Sequence, residues 1–306
     1  MKGLAVLVAG LVVMLFVGGP EAGDSRLIQA MWNLGHVPLF AGLALLGCAT
    51  PLARQLAGIR LFLAATVLAL LAGIAVEWLQ LLIGRSFDYL DVLRDLAGVY
   101  LGLGVHLARQ SRSWQQRLGF LGMSSLLLLL ALLPIGQILV DSYAMQRAFP
   151  VLSDFESARE LSRWETQRAA IALADEPVRH GGQSLRVTFQ AGRFPDVGLR
   201  EMQSDWSAYQ TLHVSTFNTL STPLDMTVKI FDREHMAGGY HSKDRFNQVV
   251  SLRPGWNDLH IALADVKKSP ADRAMDMANI AGLSFFLPAT DQSVVIYLDA
   301  IGLGND

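Results

Sequence analysis

Among 306 residues there is a single cysteine, Cys48. That excludes an internal disulfide and a thiolate metal cluster. Its place inside an apolar run makes it a buried structural residue. Neither charge is in excess, with 25 Lys and Arg against 27 Asp and Glu, so the electrostatic footprint of a nucleic-acid partner is missing. There is no Gly-rich phosphate loop, no H-E-x-x-H and no G-x-S-x-G, which removes three common catalytic signatures. Gly102-Leu103-Gly104 lies within an apolar run and reads as helix packing. Charge is thin in the first half: residues 1–149 hold 10 Lys and Arg and 7 Asp and Glu, against 15 and 20 in residues 150–306.

The apolar residues crowd into that first half as five runs, near residues 3–20, 34–53, 61–83, 92–108 and 118–140. Most are of membrane-spanning length. A signal peptide is the alternative for the first run, but Pro20-Glu21-Ala22 is a poor cleavage site, so a retained helix is expected. Glu21 to Trp32 reads as a polar loop. Pro134-Ile135-Gly136 interrupts the fifth run, and a membrane helix tolerates it. Lys2, Arg54 and Arg60, and Arg109, Arg112 and Arg117 lie on one side of the runs, while the intervening loops are mixed or acidic. By the positive-inside rule the N-terminus is cytoplasmic. Five spans then put everything after Val140 outside.

Polar residues gather where the third run gives way to the fourth. Glu77 and Gln80 are three apart, Arg85 follows in the connection, and Asp88, Asp91 and Asp95 fall at i, i+3 and i+7. Gly98 and Gly102 continue that face and permit close helix approach. His36 opens the second run. The charge rule brings all these groups to the extracytoplasmic ends of three helices. Ionisable groups in such positions are functional candidates by default. Glu77, Asp91 and His36 suit acid–base or cation chemistry, or a polar network that fixes helix packing. Gln80, Arg85, Asp88 and Asp95 are candidate substrate contacts. Arg85 and Arg94 can clamp a phosphate or carboxylate headgroup, or serve as interfacial anchors.

E-x-x-Q, R-S-F-D, D-x-x-x-D and G-x-x-x-G, with His36 upstream, resemble the VanZ-like family of membrane proteins over residues 1–110. Asn33-Leu34 stand where an Asp-Lys pair usually precedes the His, and Asp95 where Asn is frequent. The resemblance implies work at the cell envelope, with a link to glycopeptide resistance, and names no reaction.

From Pro150 the apolar period changes to two, as in Ser184–Phe189, Thr211–Ser215, Met226–Phe231 and Leu259–Leu263. Gly181-Gly182, Pro223, Gly238-Gly239 and Pro254-Gly255 punctuate the strands. Short strands at this spacing predict an antiparallel β-sandwich. Trp206 and Trp256, at strand starts, are expected in its core. The loop Arg233–Asp244 offers His235, Tyr240 and His241 as ligand candidates.

Asp154-Phe-Glu156, Gly181-Gly-Gln-Ser-Leu185, Asp205-Trp-Ser207, Pro254-Gly-Trp-Asn257 and Tyr297-Leu-Asp-Ala-Ile301, in that order, resemble the galactose-binding-like jelly rolls that include many carbohydrate-binding modules. That implies a jelly-roll fold and, by analogy, a glycan partner. It also implies a structural Ca²⁺ held by Glu156 and Asp299.

The expected organisation is therefore a multi-domain chain. A VanZ-like transmembrane domain over 1–110 is followed by a fifth helix and connection over 111–149. An all-β extracytoplasmic sandwich covers 150–306. The expected site is the inner membrane of a bacterial-type cell, with the bilayer and a cell-wall or exported glycan as partners. A membrane enzyme acting on a lipid or glycolipid headgroup is the second hypothesis, and whether there is catalysis stays open. A transporter is third, since no half-repeat is visible.

Overall fold

A computed structural model describes residues 2–16, 25–56, 59–82 and 89–306. They divide into two units, Met1–Leu139 and Val140–Asp306, the division falling within one long helix. The first unit is helical: α1 (Lys2–Phe16), α2 (Arg26–Asn33), α3 (His36–Cys48), the short α4 (Pro51–Gln55), α5 (Ile59–Leu82), α6 (Tyr89–Gln110) and α7 (Trp114–Ala148). Among the described residues three helical segments are long and apolar enough to cross a membrane: Arg26–Cys48, Arg60–Leu82 and Trp114–Ala148.

Residues 26–33, expected as loop, form α2 instead. Ser25 caps it by accepting the Ile28 N–H, which satisfies one orphan donor of the first turn. Leu27, Ile28, Met31 and Trp32 supply apolar residues at helical spacing.

On α5 the polarity is inverted relative to a water-soluble helix. Ala69, Gly73, Glu77 and Gln80 are buried along one stripe, while Leu68, Leu71, Trp78 and Leu82 are 62–79 % exposed. Asp91, Asp95 and Val99 form a matching buried stripe on α6. The tightest seam joins α3 to α6. A Cβ added at Gly98 would lie 2.5 Å from Val37 O and 2.9 Å from Phe40 Cβ. One at Gly102 would lie 2.6 Å from Ala41 O. Only glycine allows the two backbones to come this near. Pro134 sits inside α7 without ending it.

The second unit begins with the last turns of α7. It continues through β1 (Val151–Ser153), a 3₁₀ turn (Ala158–Arg163), β2 (Trp164–Gln167), β3 (Ala169–Ala174), β4 (Ser184–Phe189), β5 (Asp196–Leu199), β6 (Thr211–Asn218) and β7 (Leu224–Asp232). Then come α8 (Arg233–Ala237), β8 (Phe246–Leu252), β9 (Gly255–Ala262), α9 (Leu263–Lys268), β10 (Ile280–Phe286) and β11 (Val294–Gly304). The strands form two antiparallel sheets. One runs β3-β4-β11-β6-β9, with β1 also on β11; the other runs β2-β5-β10-β7-β8.

The core lies between them. Alternate residues Leu185, Val187 and Phe189 of β4 face Met226, Val228 and Ile230 of β7 and Leu283 and Phe285 of β10 in one buried cluster. Each such side chain contributes about 1.5–3 kcal/mol. Trp206 is fully buried there and donates its indole N–H to Gln203 O at 2.9 Å. Trp256 departs from expectation. The period of two places it opposite Phe217 on the outward face of its sheet, half-buried and outside the core.

Candidate functional site

In the helical unit three helices bring polar groups to one place. His36 is the first residue of α3, Glu77 lies near the end of α5, and Asp91 is in the first turn of α6. A helix N-terminus favours a negative group such as Asp91. The three residues offer ligand atoms that all lie within 4.8 Å of one another. They are 2 %, 0 % and 6 % exposed, and Asp95 is 1 % exposed. Asp95 Oδ1 is 2.8 Å from His36 Nδ1, and Asp91 Oδ2 is 3.6 Å from His36 Nε2. Arg94, one turn along α6, pairs with Asp91 Oδ1. The other oxygen of Asp95 lies against Gly73 of α5, where a Cβ would come within 2.6 Å of it. Gln80 is buried one turn beyond Glu77. Arg85 and Asp88 lie outside the described residues. The donor set of one imidazole and two carboxylates suits a divalent transition cation or proton transfer.

The sandwich carries a second arrangement. Strand pairing sets Ala172 of β3, Arg186 of β4, Tyr297 of β11, Phe217 of β6 and Trp256 of β9 in one row across the outward face of the larger sheet. Phe217 meets the Trp256 and Tyr297 rings edge-on, with centroids 5.3 and 6.2 Å apart. The three rings are half-buried and Arg186 is exposed. Beside this row the loop preceding β4 forms a wall. Arg179 makes a double contact with Asp258, at 2.5 and 3.2 Å, and Ser215 donates to the same carboxylate at 2.8 Å. The Ser215 hydroxyl, followed by Arg179, holds the Asp258 carboxyl below the usual range despite partial burial.

Asp299 and Glu156 organise that same loop. Asp299 Oδ2 accepts the Arg179 and His180 N–H groups, and Glu156 Oε1 accepts those of Gly182 and Gln183. These oxygens serve backbone donors, the same polarity of partner that a cation presents.

Of the other ligand candidates, His235 is 1 % exposed and packs its ring against Phe231 and Tyr240. Burial first, then the nearby Arg245 charge, pushes its pKa down. It is a core side chain, because α8 turns it under the loop. Tyr240 is 54 % exposed, and His241 lines a cleft of about 640 Å³ with Glu234, Lys243, Asp244, Asp272 and Arg273. Beneath that cleft Arg273 bridges Asp232, at 2.5 and 2.8 Å, and Asp244, at 2.7 and 3.0 Å. Sequence reading passed over this bridge because its members are 41 and 29 residues from Arg273. It also passed over Asp141, which takes a bidentate contact from buried Arg163 at 2.6 and 3.0 Å. A lone carboxylate just after the last apolar run was the available signal there.

No family model and no curated protein matches the chain. Among solved structures, the sandwich is similar to the family 11 carbohydrate-binding module from Clostridium thermocellum in complex with a β-1,3-1,4-mixed-linked tetrasaccharide. That match has 13 % identity over 51 % of this chain and 94 % of that one, with a TM-score of 0.41. An exo-β-agarase gives 13 % identity over 51 % of this chain and 25 % of that one, TM-score 0.42. A structure of carbohydrate-binding modules from the β-sandwich superfamily gives 16 % identity over 49 % and 60 %, TM-score 0.37.

Proposed function

We propose that the chain is a multi-pass cell-envelope protein whose sandwich binds a glycan outside the membrane. The observation that carries the glycan reading is the row Arg186–Tyr297–Phe217–Trp256. Aromatic rings present an apolar face to the C–H side of a sugar, and the flanking polar groups serve its hydroxyls. The test is affinity electrophoresis or calorimetry with cell-wall and exported polysaccharides. Trp256→Ala and Tyr297→Ala are expected to weaken binding about tenfold or more. Tyr240→Ala, in the exposed loop, should leave it intact. Equal binding by wild type and Trp256→Ala overturns this face as the site.

The membrane reading is supported by the exposed leucines of α5 and α7 and by polar stripes turned inward. In this reading five helices cross, α1 and α6 included. The N-terminus is cytoplasmic and the sandwich lies on the outer side of the inner membrane. A C-terminal alkaline phosphatase fusion is expected to be active, and activity from a cytoplasmic reporter instead would reverse the topology. The VanZ-like assignment of residues 1–110 rests on the spaced polar motif itself. Calcium at Glu156 and Asp299 is also a proposal, read as a rise in the sandwich's unfolding midpoint when Ca²⁺ is returned to chelated protein.

A second reading is favoured by the buried convergence of His36, Glu77 and Asp91. It makes the helical unit an enzyme on a lipid or glycolipid headgroup, with Glu77 or Asp91 as base. Glu77→Gln then abolishes activity at normal membrane abundance.

A further inference from the structure

In the buried cluster of the helical unit, one pair of facing atoms stands apart without a hydrogen bond between them. His36 Nδ1 is 2.8 Å from Asp95 Oδ1. An ionised carboxylate only accepts, so Nδ1 carries the proton of this contact, and in the neutral imidazole Nε2 then carries the lone pair. That lone pair faces Asp91 Oδ2 across 3.6 Å. The distance is too long for a hydrogen bond, and both atoms are then acceptors. Glu77 brings a third donor atom to the same space. Two ligand atoms about 2.0–2.2 Å from one tetrahedral ion stand roughly 3.3–3.6 Å apart, which matches the His36–Asp91 gap.

We propose that His36 Nε2, Glu77 and Asp91 ligate one divalent cation of the zinc or manganese class. The inference rests on reading this cluster as the functional centre of the helical unit. An imidazole with two carboxylates is the mixed set such ions accept, whereas Mg²⁺ and Ca²⁺ prefer oxygen alone. Asp95 supplies the outer carboxylate that fixes the tautomer and orientation of a metal-binding histidine. Arg94 takes Asp91 Oδ1 and so leaves Oδ2 for the ion. Gly73 lets Asp95 sit close against α5, bringing the outer carboxylate and Glu77 onto the same side of the bundle. Three protein ligands leave a coordination position for water or a headgroup oxygen, as in catalytic rather than structural sites.

The test uses the full chain in detergent, stripped with a chelator, equilibrated with Zn²⁺ or Mn²⁺ alone and desalted. Elemental analysis is expected to find about one ion per chain, with affinity falling at acid pH as ligands protonate. His36→Ala, Glu77→Gln and Asp91→Asn should each remove the ion. Asp95→Asn should weaken binding about 10–100-fold. His106→Ala, on α6 but distant from the cluster in sequence, should change nothing. Should a ligand variant fail to fold, electron paramagnetic resonance of Mn²⁺ in the wild type reports the histidine nitrogen directly. Wild type without bound ion, retention of the ion by all three ligand variants, or no nitrogen coupling overturns the proposal. Glycan binding and reporter orientation are measured on the same chain and do not depend on the ion, so failure of either stays separate from failure of the metal site.

Discussion

Replacing Arg273 with alanine is expected to destabilise the sandwich by about 3–5 kcal/mol, the cost of removing one partner of a buried ion pair. Asp232 is 0 % exposed and receives both guanidinium bonds as well as the N–H groups of His235 and Asp276. Without Arg273 a buried carboxylate loses the one cationic group that pairs with it among the described residues, and two hydrogen bonds with it. Arg273 also ties Asp244, so the loop after α8 loses its anchor. Urea unfolding of residues 140–306, which keep Asp141 as the partner of Arg163, measures the loss, and a drop below about 1 kcal/mol would show that the loop carries itself. Lysine at this position restores charge without the two-pronged fork, so Arg273→Lys should fall between.

The same network gives the sandwich an acid limit. Burial raises the Asp232 carboxyl, but the Arg273 bonds and the two backbone N–H groups outweigh it and hold its pKa below the ordinary value. The Arg273 bond lowers that of Asp244. A carboxyl with a depressed folded pKa stabilises fully above its unfolded value, near 4. That contribution is lost as pH falls through the folded pKa. Stability should therefore hold at neutral pH and drop below about pH 4. The acid-dependent part should shrink in Arg273→Ala.

Gly98→Ala should lower the stability of the helical unit by about 1–3 kcal/mol, the usual cost of overpacking. This opposes the propensity rule, by which alanine in a helix gains about 1 kcal/mol over glycine. The new Cβ would stand 2.5 Å from a backbone oxygen of α3, which cannot rotate away. Gly119→Ala in α7 is the control, since among the described residues nothing beyond its own stretch of helix lies within 4 Å of its Cβ position; it should be neutral or stabilising. Thermal unfolding in detergent compares the two, and equal midpoints would mean that α3 and α6 are not in close contact. The seam also sets the site, because His36 on α3 reaches Asp91 and Asp95 on α6 only while the helices stay close.

The long helices and the longer strands were legible because their apolar periods are long and unbroken, as in Ile59–Leu82 and Ser184–Phe189, whereas α2, short and rich in polar residues, was read as loop. Strand β5, Asp196–Leu199, is four residues long, and β3 is largely alanine, so neither carries a periodic signal. The polar stripe of α5 and α6 was readable from spacing alone, since helical period fixes which residues share a face. The aromatic row was not. Trp256, Phe217 and Tyr297 are far apart in sequence and meet only through strand register. Trp256 looked like core because the rule that large aromatics are buried does not say which face of a strand they occupy.

The row has a length as well as a chemistry. Neighbouring strands lie about 4.8 Å apart, so five residues on five adjacent strands span about 19 Å at right angles to the chain direction. A ligand following it crosses every strand once and meets one side chain per strand. Affinity should then climb stepwise with the number of sugar units and level off once the row is covered. The Arg179–Asp258 wall runs beside the row rather than across its ends, so nothing in that wall reads a chain terminus. The proposed face would grip the middle of a long polysaccharide and slide along it, holding the protein near a polymer without fixing it to one point.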